Sequence, residues 1–223
     1  PFVSKVSKVN FIELATNAMI GKKVEEIDAM GVACVGVKAP QFSFSRLHGA
    51  DPLLGVEMAS TGEVACLGDD LSEAFLKSML ASGFKLPNKA VFVSVGGEEN
   101  KYKLLEHIRV LKNLGFAIYA TEHTGEFLNK NGITNVSVKK IHEAGNPGYT
   151  VQNLLEEKKV DIVINIPNNF TQQELDDEYI IRRKAVDTAT PLLTNMQLAK
   201  LFTEVISKTS LKDLLVKSWD EYN

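Results

Sequence analysis

The chain has 223 residues, of which 44% are hydrophobic and 24% are charged, and its formal net charge is −3. This composition is typical of a globular protein with room for one large domain, or for one domain and a smaller unit. The negative net charge and the lack of a basic run argue against a nucleic-acid partner. No apolar stretch reaches the roughly 20 residues of a membrane span, so a membrane protein is not expected either.

Cysteine and histidine are scarce in this sequence. Cys34 and Cys66 are its two cysteines, and four histidines are scattered along it. Two isolated thiols indicate a reducing compartment rather than a disulfide framework. This residue set is also too sparse to predict a zinc site. The first residues show no basic segment followed by an apolar one, so we expect no signal peptide.

The first 88 residues contain few predicted elements. Helices are predicted near 11–20 and 71–82 and a short strand near 33–37, with the irregular stretch KAPQFSFSRLHGADPLLG before the second helix. The segment GFKLP predicts a boundary, because proline cannot continue a helix. With so few strands, this part is expected to be a piece of something larger, or a flank packed on the second part.

From residue 89 onward, apolar runs alternate with helical patterns. Strands are predicted at 90–95, 116–120, 135–138, 161–165 and 191–194, and helices at 98–114, 122–131, 149–158, 174–187 and 196–207. This alternation with short links predicts an α/β fold with a five-stranded, doubly wound parallel sheet. Ligands of such sheets lie beyond the carboxyl ends of the strands, at a topological switch point. The tail SLKDLLVKSWDEYN predicts a short terminal helix with a frayed end.

The most informative segment is GFAIYATEHTGEFLNKNG. Its apolar run ends directly in Thr121, and Thr124 follows where a helix is predicted to begin. A strand that turns straight into a helix leaves unpaired backbone N–H groups. Those donors, the helix dipole and two hydroxyls favour a phosphate or a carboxylate. Taken alone, Thr121 also fits an ordinary N-cap.

Further polar residues follow the other predicted strand ends. Lys101 lies in the helix after the first strand, and Lys140 follows the third. The fourth strand, in DIVINIPNN, ends in Asn165, with Asn168 close behind. Lysines suit a phosphate, and asparagine amides suit a sugar, base or amide edge. Singly, such lysines are ordinarily solvated, so the prediction depends on their convergence at one edge. Arg182, in YIIRRKAVD, either faces this pocket or belongs to a solvated or salt-bridged face.

At these residues the chain resembles a known family. Residues 89–208 resemble the methylglyoxal synthase-like fold, which also forms the carboxyl-terminal regulatory domain of carbamoyl phosphate synthetase. The strings PFVSKVSKVNFIELATNAMIG, ADPLLGVEMASTGEV and AFLKSMLASGFKLP resemble the end of that enzyme's second ATP-grasp half. The resemblance implies a partial α+β remnant of an ATP-grasp domain at 1–88, a methylglyoxal synthase-like allosteric domain at 89–210, and a tail at 211–223.

The resemblance implies that the chain is the effector-binding region of a carbamoyl phosphate synthetase. The parent would make carbamoyl phosphate from bicarbonate, ATP with Mg or Mn, and ammonia or glutamine, for pyrimidine and arginine or urea pathways. This region alone is expected to carry no catalytic residue, metal or cofactor. Its implied partners are the rest of the synthetase, a glutaminase subunit where glutamine is the nitrogen donor, and further copies in a homo-oligomer. The implied location is the cytoplasm, with the mitochondrial matrix as the alternative.

The resemblance also implies an effector site. Where the family effector is a nucleotide such as UMP, the residues that hold it match Lys101, Thr121, Thr124, Lys140 and Asn165, to which we add Asn168 and Arg182. Synthetases regulated by N-acetylglutamate have tryptophan where Lys140 stands, yet the INIPNN and KAPQFSF strings resemble that group. UMP and N-acetylglutamate therefore both stay open, and the double charge of a phosphate favours the nucleotide.

Two other functions stay open. Stand-alone methylglyoxal synthases carry His-Asp-His after the first strand and Gly-Gly-Asp after the third. This chain reads VSVGGEEN and HEAGNPG there, with Asn146 near the expected aspartate. An asparagine cannot act as a general base, and the aligned positions lack a carboxylate near Thr121, so lyase activity on a phosphorylated triose is not expected. The remaining alternative is an oligomerisation scaffold with a vestigial pocket.

Overall fold

The computed structural model describes residues 2–27, 33–53, 60–140, 149–168 and 172–222, without the side chains of 172–176. The chain forms two compact units, and neither is one continuous segment. The first comprises Pro1–Gln41, Ser60–Gly83 and Thr209–Asn223, and the second comprises Phe42–Ala59 and Phe84–Lys208. The predicted parts are consecutive, so they differ from these units in two places. The segment after residue 41 belongs to the second unit, and the tail belongs to the first.

The first unit combines a two-stranded antiparallel sheet with helices. Its elements are α1 (Phe2–Ser7), α2 (Phe11–Met19), β1 (Val35–Gln41), β2 (Gly62–Gly68) and α3 (Leu71–Ala81). The Asp70 carboxylate caps α3 by accepting from the backbone N–H of Glu73 at 2.8 Å. The two predicted helices are confirmed as α2 and α3. Strand β2 is not among the predicted strands, because its sequence GEVACLG lacks the regular alternation of a half-buried strand.

The tail belongs to the first unit but does not form the predicted terminal helix. It contains two 3₁₀ turns instead, Leu211–Asp213 and Trp219–Glu221, each begun by a serine with a capping box. The Tyr222 hydroxyl donates to the Leu67 carbonyl at 3.1 Å and accepts from Lys77 Nζ at 2.7 Å. Short local caps and this attachment to β2 and α3 therefore replace a continuous helix.

The second unit is built on a parallel sheet. Its strands are β3 (Ala90–Val95), β4 (Ala117–Thr121), β5 (Val136–Val138), β6 (Ile162–Ile166) and β7 (Leu192–Leu193). Its helices are α4 (Glu98–Asn113), α5 (Glu122–Lys130), α6 (Val151–Glu156), α7 (Gln172–Asp187) and α8 (Met196–Lys208). The strand order is β5-β4-β3-β6-β7, with every pair parallel. The predicted α/β fold with a five-stranded doubly wound sheet is thus confirmed. Within the described residues, no helix is long and apolar enough to cross a membrane.

The centre of the sheet is buried on both faces. Every residue of β3 and β6 is buried, which explains why both strands are apolar apart from one polar residue each instead of alternating. The chain winds outward from β3 to β5 and then returns to β6, so the topological switch point lies between β3 and β6. Ser94 of β3 pairs with Asn165 of β6 near the carboxyl ends of these strands.

Asp161 fixes the start of β3. Its Oδ2 accepts three backbone N–H groups, those of Asn88, Lys89 and Ala90, at 3.3, 2.7 and 2.9 Å. The backbone N–H of Asp161 in turn donates to the Ala90 carbonyl at 2.9 Å. One side chain therefore satisfies donors ahead of β3 and ties the beginnings of β3 and β6 together.

The segment 42–53 belongs to the second unit through α7. Arg183 Nη1 donates to three of its backbone carbonyls, those of Phe44, Leu47 and Ala50, at 3.0–3.1 Å. An irregular segment has carbonyls without ladder partners, and a guanidinium can satisfy several of them at once. This contact explains why a stretch that lies far from the sheet in sequence belongs to the same unit.

Candidate functional site

A cavity of about 620 Å³ lies at the carboxyl ends of β3, β4 and β5. It is lined by residues 94–98 and 121–124, and by Lys101, Tyr102, Glu126, Phe127, Lys130, Asn131, Lys140 and Glu178. These residues come from the ends of β3 and β4, from just beyond β5, from the first turns of α4, from α5 as far as its C-cap, and from α7. The cavity is therefore at the edge of the sheet where the sequence predicts a ligand.

Two helices begin in the cavity wall. Helix α4 follows Gly97, whose φ of 79° lies in the left-handed region that favours glycine. Helix α5 follows Thr121. Neither N-cap makes a side-chain hydrogen bond to its helix. The first-turn backbone N–H groups and the positive dipole ends of both helices are thus directed to the cavity without a side-chain cap, an arrangement that suits an anion.

Three buried hydroxyls connect β3 to α5. Thr121 Oγ1 lies 3.4 Å from Ser94 Oγ and 3.1 Å from Thr124 Oγ1. Thr124 Oγ1 also accepts the backbone N–H of Val95 at 3.2 Å. The side chain of Thr121 therefore contacts other hydroxyls, and the alternative of an ordinary N-cap side chain is not observed. This cluster fixes the first turn of α5 against the end of β3.

Two lysines bring positive charge to the cavity. Lys101 Nζ donates to the His123 carbonyl at 3.3 Å, which places its charge beside the start of α5. Lys140 lies just beyond β5, and its Nζ is 3.7 Å from Asp177 Oδ2 on α7. The predicted site residues that line this one cavity are Lys101, Thr121, Thr124 and Lys140. Their role in binding stays a prediction.

The other predicted site residues, Asn165, Asn168 and Arg182, are not part of the cavity lining. Asn165 is fully buried, and its Oδ1 accepts from Arg182 Nη1 at 3.2 Å. Asn165 Nδ2 has no hydrogen-bond partner among the described residues. Asn168 packs against Gly96, where an added Cβ would come within 2.3 Å of Asn168 Cβ. These three residues therefore lie behind or beside the cavity wall.

Arg182 is buried and forms a salt bridge with the partly exposed Asp51 instead of lining the cavity. It is 1% exposed, and its Nε and Nη2 donate to the two carboxylate oxygens of Asp51, the first at 2.8 Å. Burial alone would raise the pKa of Asp51. Hydrogen bonds from Arg182 and from the backbone N–H of Leu53, together with the guanidinium charge, hold that pKa below its usual value. Of the two alternatives left open by the sequence, the salt-bridged one is observed, with the arginine itself buried.

Three residues that line the cavity are not among the site residues predicted from the sequence. Glu178 is 3% exposed and lines the cavity, so a carboxylate from outside the aligned positions, on which our expectation of no lyase activity rests, shares the cavity with Thr121. Asn146, on which that expectation was partly based, lies outside the described residues. Tyr102 and Phe127 form an edge-to-face pair with ring centroids 4.9 Å apart. The four-residue spacing from Glu178 to Arg182 puts both on one helix face, but the sequence alone does not show that this face is directed to the cavity.

Comparisons with known proteins address the family. Residues 103–194 match the family described as "MGS-like domain". Over 100% of its length the chain is 44% identical to "Carbamoyl-phosphate synthase [ammonia], mitochondrial" of Aquarana catesbeiana, and over 96% it is 43% identical to the Homo sapiens protein of that name. The chain is homologous to the carboxyl-terminal region of carbamoyl phosphate synthases. It spans 15% of the length of each of these two relatives.

Two further matches are a multifunctional protein and a solved structure. The "Multifunctional protein URA2" of Saccharomyces cerevisiae is 42% identical over 96% of the chain, which spans 10% of that protein. Among solved structures, methylglyoxal synthase from Elizabethkingia anophelis is 16% identical, with a TM-score of 0.40 over 61% of this chain and 91% of that one. This structural likeness is too weak to bear on function.

Proposed function

We propose that this chain is the effector-binding region of a carbamoyl phosphate synthetase, and that its MGS-like domain binds a small anion. The observation that carries the proposal is the convergence of two helix N-termini without side-chain caps on one cavity. Lys101 and Lys140 add positive charge to the same wall. Backbone N–H groups and lysines together favour a phosphate or a carboxylate. The candidate effectors are UMP and N-acetylglutamate.

The proposed role is coupling rather than chemistry. An effector that binds two states of the parent enzyme with different affinity shifts the balance between them. We extend the proposal to the whole protein, of which this chain would be a small part. The parent makes carbamoyl phosphate from bicarbonate, ATP and ammonia or glutamine, in the cytoplasm or the mitochondrial matrix. Its partners are the rest of the synthetase, further copies of itself and, where glutamine is used, a glutaminase subunit.

Calorimetric titration of the 223-residue chain with UMP and, separately, with N-acetylglutamate tests the effector site. We expect millimolar or tighter binding of at least one of them. Lys140→Ala and Thr121→Ala should each weaken that binding by about 1–3 kcal/mol, because each removes a partner of a charged ligand group. The chain alone should show no turnover.

Matched controls separate the cavity from its surroundings. Lys139 is exposed and adjacent to Lys140 but does not line the cavity, so Lys139→Ala should bind like the wild type. Thr121→Ser keeps the hydroxyl and should also bind nearly as well. If Lys140→Ala and Thr121→Ala bind as the wild type does, the effector lies elsewhere. If the wild type binds neither ligand and self-associates regardless of anions, the scaffold alternative is correct.

The lyase alternative can be tested with the same preparation. Methylglyoxal formation requires a base that removes a proton from dihydroxyacetone phosphate. Glu178 supplies a carboxylate in the cavity, so the assay addresses a real alternative. We expect no methylglyoxal above the level of a blank reaction. Methylglyoxal formed by the wild type and lost in Glu178→Gln would replace the effector function with catalysis.

A further inference from the structure

Asn131 is followed by glycine, and this Asn-Gly pair occurs once in the sequence. An asparagine side chain loses its amide when the backbone nitrogen of the next residue attacks its Cγ, and glycine hinders that attack least because it has no Cβ. The pair lies directly after α5, and Asn131 lines the cavity. A reaction at this asparagine would therefore change the cavity wall.

The last turn of α5 explains why glycine follows Asn131. Asn131 is the C-cap, and Gly132 has a φ of 77°, in the left-handed region that favours glycine. The N–H of Gly132 donates to the Asn129 carbonyl at 3.0 Å. The N–H of Ile133 donates to the Leu128 carbonyl at 2.9 Å, and the two bonds together form a Schellman motif. The helix end thus favours glycine at the position that makes Asn131 most reactive.

The folded turn holds the two reacting groups apart. Asn131 Nδ2 donates to the Phe127 carbonyl at 2.8 Å, and the attacking nitrogen of Gly132 is bonded to the Asn129 carbonyl. Ring closure also requires the Gly132 nitrogen to eclipse Asn131 Cβ, which the ψ of 16° at Asn131 does not allow. The reaction must therefore start from the minor population of molecules in which this turn has opened.

Arg109 anchors the turn from outside α5. Its Nη2 donates to the Asn131 carbonyl at 3.1 Å, and its Nε lies 3.5 Å from Glu106 on its own helix, α4. The Arg109 side chain is 39% exposed, so it holds Asn131 without being part of the buried core. A surface residue therefore influences how often the turn opens.

Loss of the amide would change the charge of the Asn131 side chain. A carboxylate only accepts, so it could no longer donate to the Phe127 carbonyl, and a negative charge is unfavourable at a helix C-terminus. It would also add a negative charge to a lining that contains Lys101, Lys130 and Lys140. An anion in this cavity would then bind more weakly.

We propose that Asn131 deamidates spontaneously, at a rate set by the opening of the last turn of α5, and that the product lowers the anion affinity of the cavity. The Gly132 nitrogen bonds to Asn131 Cγ, the Cγ–Nδ2 bond breaks, and the side-chain nitrogen takes up the Gly132 proton and leaves as ammonia. Water then opens the five-membered imide to give aspartate or isoaspartate. Water is the one co-reactant. The effect on affinity rests on the proposed function, whereas the deamidation does not.

Incubation of the 223-residue chain at mildly alkaline pH, followed by peptide mass spectrometry, tests the deamidation. We expect an acid in place of the amide at Asn131, formed faster as the pH rises because the attacking nitrogen must lose a proton. Asn129 is the internal control: it is exposed on the same helix but is followed by lysine, so it should keep its amide. Equal conversion of both asparagines overturns the assignment.

Two comparisons test the control by the turn. The urea-unfolded chain should deamidate at Asn131 at least about tenfold faster than the folded chain, which corresponds to about 1.4 kcal/mol of opening free energy. Arg109→Ala should accelerate the reaction of the folded chain severalfold, because Asn131 loses its anchor. Lys103→Ala is the matched control, since Lys103 is 50% exposed on α4 and pairs with Glu99, and it should leave the rate unchanged. Urea unfolding curves establish that both variants are folded.

Three results would contradict the control by the turn. Equal rates in the folded and the unfolded chain, or no reaction at Asn131 in either, overturn the proposal. An Arg109→Ala rate equal to that of Lys103→Ala overturns the role of Arg109.

Asn131→Asp imitates the charge change and tests its effect on binding. Titration with UMP, N-acetylglutamate and inorganic phosphate as separate probes should show affinities severalfold lower than those of the wild type. Asn129→Asp is the matched control: it makes the same change outside the cavity lining and keeps the oxygen that accepts from Asn135 Nδ2, so it should bind like the wild type.

The binding results distinguish this inference from the proposed function. If Thr121→Ala weakens binding and Asn131→Asp does not, the effector site stands and the effect of deamidation on affinity is overturned. If the wild type binds none of the three probes, the proposed function and that effect both fail. The deamidation itself then still stands or falls by mass spectrometry.

Discussion

Arg182 and Asp51 lie 131 residues apart in sequence and are joined by two hydrogen bonds from the guanidinium to both carboxylate oxygens. The same guanidinium donates to Asn165, which pairs in the sheet with Ser94 of the cavity wall. One buried side chain therefore connects the segment 42–53 to the strand pair beneath the cavity. A substitution of Arg182 is therefore expected to affect both the segment 42–53 and the strand pair.

We expect Arg182→Ala to lower the free energy of unfolding of the chain by about 2–4 kcal/mol. The substitution removes the donor of the fully buried Asn165 amide oxygen and of the Asp51 carboxylate, which is 37% exposed. Urea unfolding at neutral pH measures this loss. Arg46→Ala, at an exposed position of the segment, should cost less than about 0.5 kcal/mol. Equal losses in the two variants would show that the buried network contributes nothing specific.

The Asp51–Arg182 pair also predicts a pH dependence. The folded state holds the pKa of Asp51 below its ordinary value of 3.8, so the unfolded chain binds the proton more readily. The contribution of the pair is therefore fully present above that ordinary value and is lost as the pH falls through the folded pKa. Asp51→Asn should lose less stability than the wild type as the pH is lowered from 6 towards the acid range. Parallel curves of unfolding free energy against pH for the two proteins would contradict this assignment.

Gly96→Ala should disturb the cavity rim. A Cβ at this position would lie 2.3 Å from Asn168 Cβ and 2.7 Å from its backbone nitrogen, so backbone must move. We expect a loss of about 1–3 kcal/mol in unfolding free energy. Gly62→Ala is the control, since an added Cβ there has nothing within 4 Å. A Gly96→Ala chain as stable as the control would mean that the Asn168 backbone yields easily.

Asp161→Ala should destabilise the second unit by about 1–3 kcal/mol, because three backbone N–H groups at the start of β3 lose their acceptor. Asp161→Asn keeps one acceptor oxygen and should cost less. Hydrogen exchange of the amides at residues 88–90 gives a direct readout. Unchanged protection in Asp161→Ala would show that water replaces the carboxylate without loss.

The strands and helices of the sheet could be predicted because their signals are local. Fully buried β3 and β6 are apolar except for Ser94 and Asn165, and the helices between them have their own periodicity. The attachment of the segment 42–53 could not be predicted, because it depends on Arg183 reaching carbonyls more than 130 residues away. From the sequence alone, Arg183 cannot be distinguished from a charged residue on the solvent-facing side of a helix.

The part of the cavity that is formed by residues at strand ends could be predicted from the sequence. Thr121 and Thr124 follow β4 directly, so topology alone brings them to the edge of the sheet. Glu178 belongs to a helix, and whether a helical residue faces a cavity depends on the rotation of that helix about its axis. Arg182, which is bonded to Asn165, is one turn away from Glu178 and reveals that rotation only once the fold is known.

The contacts of α7 with the segment 42–53 have a consequence for biosynthesis. Phe44 leaves the ribosome 139 residues ahead of Arg183, an interval of about 7–28 s at ordinary elongation rates. During that interval, the carbonyls that later accept hydrogen bonds from Arg183 must be hydrogen-bonded to water or covered by a chaperone. A shortened chain that starts at residue 89, at the sheet, would never receive those carbonyls or Asp51. Such a truncated product would have to accommodate two arginines that the intact chain buries in α7.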